Sequence, residues 1–399
     1  MTDALSRPTE FLQNLIRCPS VTPNEGGALD YLQVELAKLG FEVHRVVFSD
    51  ENTPDVDNLY ARMGTKAPHI CFAGHTDVVP VGNEKDWSKP PFEAEVVEGE
   101  MIGRGAVDMK GGIACFMAAV EAHISKYGKP EGSISFLITG DEEGPSINGT
   151  DKLLKWASER GEKFDACIVG EPSNSTKIGD TIKNGRRGSL SGKLIVHGVQ
   201  GHAAYPHLAD NPVRGLMDLL DSLLATPFDQ GTDEFQPTNL EVTSVDVGNP
   251  AANVIPASAS AIFNVRFNDT WAGSSMVEEI NKRFEQGAAK AKIRKGKNHP
   301  VKYSIEWIGR VSPVFLTMDE RLIKILMAAI RSVTGSLPNL STGGGTSDAR
   351  FIKDYCAVVE FGLIGQTMHQ VDERVSLEDL EILTNIYTEF LDGYFSRNS

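Results

Sequence analysis

Four short apolar stretches, 69–74, 134–139, 166–170 and 357–362, alternate with four segments whose apolar residues recur at helical spacing, 28–39, 112–127, 319–333 and 377–394. Strands interleaved with amphipathic helices specify an α/β domain with a mainly parallel sheet. The middle of the chain breaks this rhythm. It reads as a strand (189–197), a helix (211–225) with Pro212 just inside its start, two strands (238–247 and 259–268), an amphipathic helix (274–290) and a last strand (301–308). That β-α-β-β-α-β order is the split βαβ, or ferredoxin-like, unit. Such a unit is complete in itself, so it is expected as a second domain, residues 188–309, inserted into a first domain built from 1–187 and 310–399. A length of 399 residues suits two domains. The lysine-rich run Lys290–Lys297 reads as a solvated helix end.

Composition excludes several classes. Hydrophobic residues at 41% and charged residues at 23% are those of a globular chain rather than a disordered one. A formal net charge of -15 supplies no basic field to displace counterions from phosphates, so nucleic acid is not expected as a partner. A few local arginines can still receive a small anion. No apolar run approaches the roughly 20 residues that span a bilayer, and the N-terminal stretch lacks a basic segment followed by an apolar core. No membrane partner is expected. Cys18, Cys71, Cys115, Cys167 and Cys356 are odd in number, scattered and without C-x-x-C spacing, which points to free thiols and a cytoplasmic location.

Chemistry-bearing residues gather at strand ends. Gly74-His75-Thr76-Asp77 closes the first apolar strand, where His75 and Asp77 share one face. A carboxylate beside a metal-bound imidazole fixes its tautomer. Gly103–Gly112 is a glycine-rich loop before a helix. It lacks the Gly-Lys-Ser/Thr ending of a phosphate loop and is suited to delivering Asp108 into a cleft. Thr139-Gly140-Asp141-Glu142-Glu143-Gly144 places three acids just past a strand. Adjacent Glu142 and Glu143 cannot face the same way, which suits one carboxylate on a metal and its neighbour beside a water as general base. Pro172 keeps Glu171 extended. His369 follows the last strand. Three carboxylates against two divalent ions leave +1, which a hydroxide neutralises. Carboxylate and imidazole without thiolate fit zinc, cobalt or manganese.

The strings GHTDVVPVG, GRGAVDMKGG, TGDEEG, VGEP, NGRRGSL, QGHAAYPHLADNPV and STGGGTSDARFI run through the chain between about Leu12 and Leu391. Together they resemble the metallopeptidase family of di-zinc exopeptidases and deacylases, which hydrolyse the amide of a small acyl amino acid. The resemblance implies two Zn2+ per subunit, with Co2+ or Mn2+ as alternatives in one site. His75, Asp108 and Glu171 would hold one ion, and Asp108, Glu143 and His369 the other, with Asp108 bridging. Asp77 would orient His75, and Glu142 would be the general base. The Asp108–Met109 peptide would be cis. The insert would form a homodimer, with His202 donating to the oxyanion in the partner's active site. Arg186, Ser189, Tyr205, Asn253, Arg266, Gly345 and Thr346 would line the substrate pocket, the arginines reading carboxylates bidentately. Gly365 stands where some relatives have Asn. His44, His69, His123, His197, His207 and His299 read as surface or packing residues. A sister deacylase acting on another acyl group shares every ligand and stays open. A non-catalytic protein on this scaffold would have lost Glu142 or a ligand, and this chain has lost none.

Overall fold

The computed structural model describes residues 5–295 and 300–396. The first residues of the N-terminal stretch, the end of the lysine run and His299 lie outside them. The chain divides into two compact units, one of 1–184, 317–341 and 347–399, the other of 185–316 with 342–346.

The first unit is built on an eight-stranded mixed sheet. At its centre His69–His75, Ser133–Thr139, Ala166–Val169 and Ala357–Glu360 run parallel. His69–His75 and Ser133–Thr139 are buried along their whole length, the state of parallel strands covered on both faces. Helices Arg7–Ile16, Lys110–Tyr127, Glu320–Thr334 and Leu377–Tyr394 pack against one another over a common core. Local signals stop and start these helices. Asp319 accepts from the Leu322 amide at 2.7 Å, Gly335 closes the same helix at φ +72°, and Ser376 caps Leu377–Tyr394 through the Glu378 amide.

The second unit is a four-stranded antiparallel sheet, in the order Asn239–Asp246, Ser258–Phe267, Gly188–His197, Lys302–Ser312, with helices Pro212–Leu224 and Gly273–Lys295 packed on it. Strand Gly188–His197 alternates buried and half-buried residues, with Leu190, Leu194 and Val196 joining Leu216, Leu219 and Phe284 in a separate core. The unit reaches a little beyond 188–309 because Gly185–Arg186 pairs with Phe315–Leu316 in a two-stranded ribbon that ties its ends together.

His69 shows how burial in the first unit becomes pH dependence. It is 2% exposed, its Nδ1–H donates to the Lys163 carbonyl at 2.9 Å, and its Nε2 accepts from the Ser135 hydroxyl at 2.9 Å. Burial, aided by the charge of Arg62, pushes its pKa down to about 4. The unfolded chain takes up this proton near the ordinary value of about 6.5, so unfolding gains a proton between those limits. The stabilisation is complete above about pH 6.5 and is lost as pH falls to about 4, by about 3 kcal/mol. His69→Gln is expected to flatten the fall in unfolding free energy over that interval, measured by denaturant titration at stepped pH. An unchanged slope would show that His69 does not carry it.

Candidate metal centre

The carboxyl ends of three parallel strands deliver His75, Glu142, Glu143 and Glu171, and a loop before helix Lys110–Tyr127 delivers Asp108. His75 ends its strand, and the Thr76 amide bonds to the Thr139 carbonyl at 3.0 Å, holding the two strand exits together. Gly112 opens the helix behind Asp108, and a Cβ there would overlap the carbonyl oxygen of Gly170. This close approach brings the Asp108 and Glu171 loops side by side. The Asp108–Met109 peptide is cis.

Two donor sets form, each with its atoms within 4.8 Å of one another, and Asp108 belongs to both: His75, Asp108, Glu171 and Asp108, Glu143, His369. The two oxygens of Asp108 divide between them. Oδ1 lies 3.2 Å from His75 Nε2, and Oδ2 lies 3.1 Å from His369 Nε2. Glu171 approaches His75 Nε2 at 3.6 Å, and Glu143 approaches His369 Nε2 at 2.8 Å. His75 Nδ1–H donates to the carbonyl of Asp77 at 2.8 Å, which turns Nε2 toward the carboxylates. A third set, His75, Glu142 and Glu143, likewise has its donor atoms within 4.8 Å of one another.

The electrostatics are those of a cation site. His75 is 1% exposed, and burial disfavours its imidazolium. The hydrogen bond to Asp108 and the charges of Glu142, Glu171 and Asp108 overrule that and hold its pKa well above the ordinary value. Hydrogen bonds to Asp108 and Glu143 lift His369 to about 10. Burial opposes ionisation of Asp108, yet its hydrogen bonds to His369 and His75 depress its pKa below the usual carboxylate range. Withdrawal from water, then the charge of Glu171, raises Glu142 well above that range. Imidazole nitrogens and carboxylate oxygens converge at these points, and such donors satisfy one another only with a proton or a cation between them. Two mixed N/O sets sharing one carboxylate therefore fit a pair of divalent ions of the zinc type.

Asp77 reaches the site through two groups, and one further contributor, Glu373, was not evident from the motifs. The Asp77 carboxylate stands 3.6 Å from His75 Nδ1, farther than the Asp77 carbonyl, and accepts instead from the amides of Glu142 at 3.2 Å and Glu143 at 3.0 Å. Glu373 accepts from the Val107 amide at 3.0 Å and the Asp108 amide at 3.2 Å, and pairs with Arg104 at 2.7 Å.

Within the inserted unit, Ser189 sits opposite Arg266 across the sheet, and Arg186 donates to the Gly343 carbonyl at 3.2 Å, beside the stretch that carries Gly345 and Thr346. Arg187, adjacent to Arg186, donates to Asn239 Oδ1 at 2.8 Å. Among the described residues, Arg187 Nε and Arg266 Nη1 are buried without a hydrogen-bond partner. Burial lowers the pKa of Arg187. Burial, followed by repulsion from Arg187 and Arg186, lowers that of Arg266. Arg186 and Arg187 thus lie close enough to Arg266 to repel its charge. His202 lies elsewhere in the unit, on a short ladder pairing Gly201–His202 with Val254–Ile255. It is exposed, with Nδ1 accepting from the Ala204 amide at 3.1 Å and its ring 5.6 Å from that of Tyr205. The carbonyl of Asn253 accepts from the Ala203 amide at 2.8 Å, so Asn253 borders the same ladder.

The model of peptidase family M20/M25/M40 matches residues 71–393. The chain belongs to that family of metal-dependent hydrolases. Its fold is shared with an M20 family metallo-carboxypeptidase from Sulfolobus solfataricus, at a TM-score of 0.77 and 18% identity over 98% of this chain and 100% of that one. A tripeptidase from Staphylococcus aureus superposes at a TM-score of 0.76, with 19% identity over 98% of each chain. A di-peptidase from Saccharomyces cerevisiae does so at 0.73, with 19% identity over 97% of this chain and 95% of that one. Among the described residues no helix is long and apolar enough to cross a membrane.

Proposed function

We propose that this protein is a two-metal desuccinylase that hydrolyses N-succinyl-L,L-2,6-diaminopimelate to succinate and L,L-2,6-diaminopimelate. The observation that carries the reading is Asp108, whose two oxygens each face a separate imidazole-and-carboxylate set. His75, Asp108 and Glu171 would hold one ion, and Asp108, Glu143 and His369 the other. When bound, the pair would polarise the scissile carbonyl and make a water acidic enough to attack it. Glu142 accepts the proton of the attacking water and passes it to the amine nitrogen as the C–N bond breaks. Asp77 holds the backbone of Glu142 and Glu143 in place by accepting from both their amides.

The succinyl group supports the substrate choice because it ends in a carboxylate, and Arg186, Arg187 and Arg266 form an anion receptor that an acetyl group would leave unmatched. The strings NGRRGSL and QGHAAYPHLADNPV point the same way. We further infer a cytoplasmic homodimer. The inserted sheet has two edge strands, Asn239–Asp246 and Lys302–Ser312, with Val245, Ile308 and Val311 exposed, and the adjacent helix exposes Met217 and Leu224. Pairing two copies would cover such edges.

The test is a panel of N-succinyl-diaminopimelate, N-acetylornithine, other acyl amino acids and dipeptides, assayed with added zinc. The succinylated substrate is expected to give the highest kcat/KM, and Arg266→Ala to lower it by about 10–100-fold through loss of a charged hydrogen bond. A higher kcat/KM for acetylornithine identifies a sister deacylase, and one for dipeptides a peptidase. Either outcome overturns the substrate assignment.

A further inference from the structure

Arg104 and Glu373 lie outside both donor sets, and each is almost wholly withdrawn from solvent, with side chains 3% and 1% exposed. A buried ion pair is a weak source of stability, because desolvation offsets much of the attraction. Its hydrogen bonds show what it organises. Glu373 Oε1 accepts from the amides of Val107 at 3.0 Å and Asp108 at 3.2 Å. Its own carbonyl accepts from the Gly103 amide at 2.8 Å. Arg104, in the same glycine-rich loop, donates through Nη1 to Glu373 Oε2 at 2.7 Å and to the Gln370 carbonyl at 3.1 Å, and through Nη2 to the Pro80 carbonyl at 3.4 Å. Its guanidinium packs over the ring of Trp87. Gln370 follows His369, whose backbone adopts φ +62°, a conformation that a non-glycine residue holds only under local constraint.

We propose that Arg104 and Glu373 are positioning residues, a buried clamp that fixes the backbone of Asp108 against the loop carrying His369 and thereby sets the affinity of the metal centre. The inference rests on the two-ion reading above. Glu373 acts on Asp108, which both donor sets share, so its loss weakens both ions. Arg104 acts on the His369 side through Gln370, so its loss weakens chiefly the ion shared with Glu143 and His369. Outer partners of metal ligands typically contribute 10–100-fold in affinity.

The test measures zinc affinity of each site by competition with chelators of graded strength, in wild type, Glu373→Ala, Glu373→Gln and Arg104→Lys, at a temperature where circular dichroism shows each variant folded. Glu373→Ala is expected to lose about 10–100-fold at both sites. Glu373→Gln keeps a carbonyl oxygen for the two amides and is expected to recover most of that loss. Arg104→Lys keeps the charge but not the fork, and is expected to weaken one site only. Should Glu373→Ala fail to fold, the Glu373→Gln and Arg104→Lys pattern decides alone. Wild-type affinities in all folded variants, with only thermal stability changed, overturn the clamp. A wild type that binds fewer than two ions overturns the two-ion reading instead.

Discussion

Glu142→Ala is expected to keep its full metal complement and to lose about 10²–10⁴-fold in kcat, the range for removal of a general base. The reason is geometric. Glu142 and Glu143 are adjacent, and the Asp77 carboxylate accepts from both their amides, which fixes the backbone of the pair. Glu143 reaches His369 Nε2 at 2.8 Å and so enters the set that contains Asp108 Oδ2. Glu142 stays close enough to His75 and Glu171 to feel their charge. Glu143→Ala should therefore lose one ion where Glu142→Ala loses none. Metal analysis of the two purified variants, beside their rates, separates the roles. Loss of metal in Glu142→Ala but not in Glu143→Ala would reverse the pair and favour the third donor set, in which His75 meets both.

The second large effect concerns His202. As water attacks the amide, negative charge grows on its oxygen, and a donor aimed at that charge is worth roughly 3–4 kcal/mol, about 10²–10³ in rate. His202 is exposed, and its Nδ1 accepts from the Ala204 amide, which leaves Nε2 as the N–H donor of the neutral ring. His202→Ala is expected to fall by that factor while binding zinc normally. If the donor serves the partner's active site, mixing Glu142→Ala with His202→Ala restores activity. Each heterodimer has one site with an intact Glu142 and a His202 supplied across the dimer. Random exchange then gives up to about a quarter of wild-type activity. No recovery, with exchange confirmed by native mass spectrometry of differently tagged subunits, would mean that His202 acts within its own chain or not at all.

Much of the architecture was readable because local and tertiary signals agree. The periodicity over 28–39 and 377–394 matches helices Ala28–Leu39 and Leu377–Tyr394, whose ends carry Gly40 and the Ser376 cap. The buried parallel strands read as continuous apolar runs. The hairpin of Glu42–Asp50 and Thr53–Met63 was not legible. Its first strand lies at the sheet edge, where exposed and half-buried residues follow one another without a clean alternation. The last strand of the insert was read as ending at 308, and it continues to Ser312 past Gly309 at φ +68°, a residue that ordinarily marks a break in a strand. The residues expected to converge as metal donors do lie together, since the exits of His69–His75, Ser133–Thr139 and Ala166–Val169 meet at one rim and the close approach of Gly112 to Gly170 draws the Asp108 loop to it. Glu373 escaped notice for the opposite reason. In the run Gln370–Arg374 it looks like one more surface acid, and only the buried partner Arg104 and the amides of the Asp108 loop reveal its task.

Amide hydrolysis is expected to require two ions bound through a shared Asp108. The measurement removes metal with a strong chelator, confirms a folded chain, and titrates Zn2+ back while recording heat of binding and hydrolysis rate on the same preparation. Two ions should bind per chain, activity should return with them, and Asp108→Ala should hold neither ion tightly. Full activity of the metal-free protein, or saturation at one ion in wild type with full activity, would contradict that requirement.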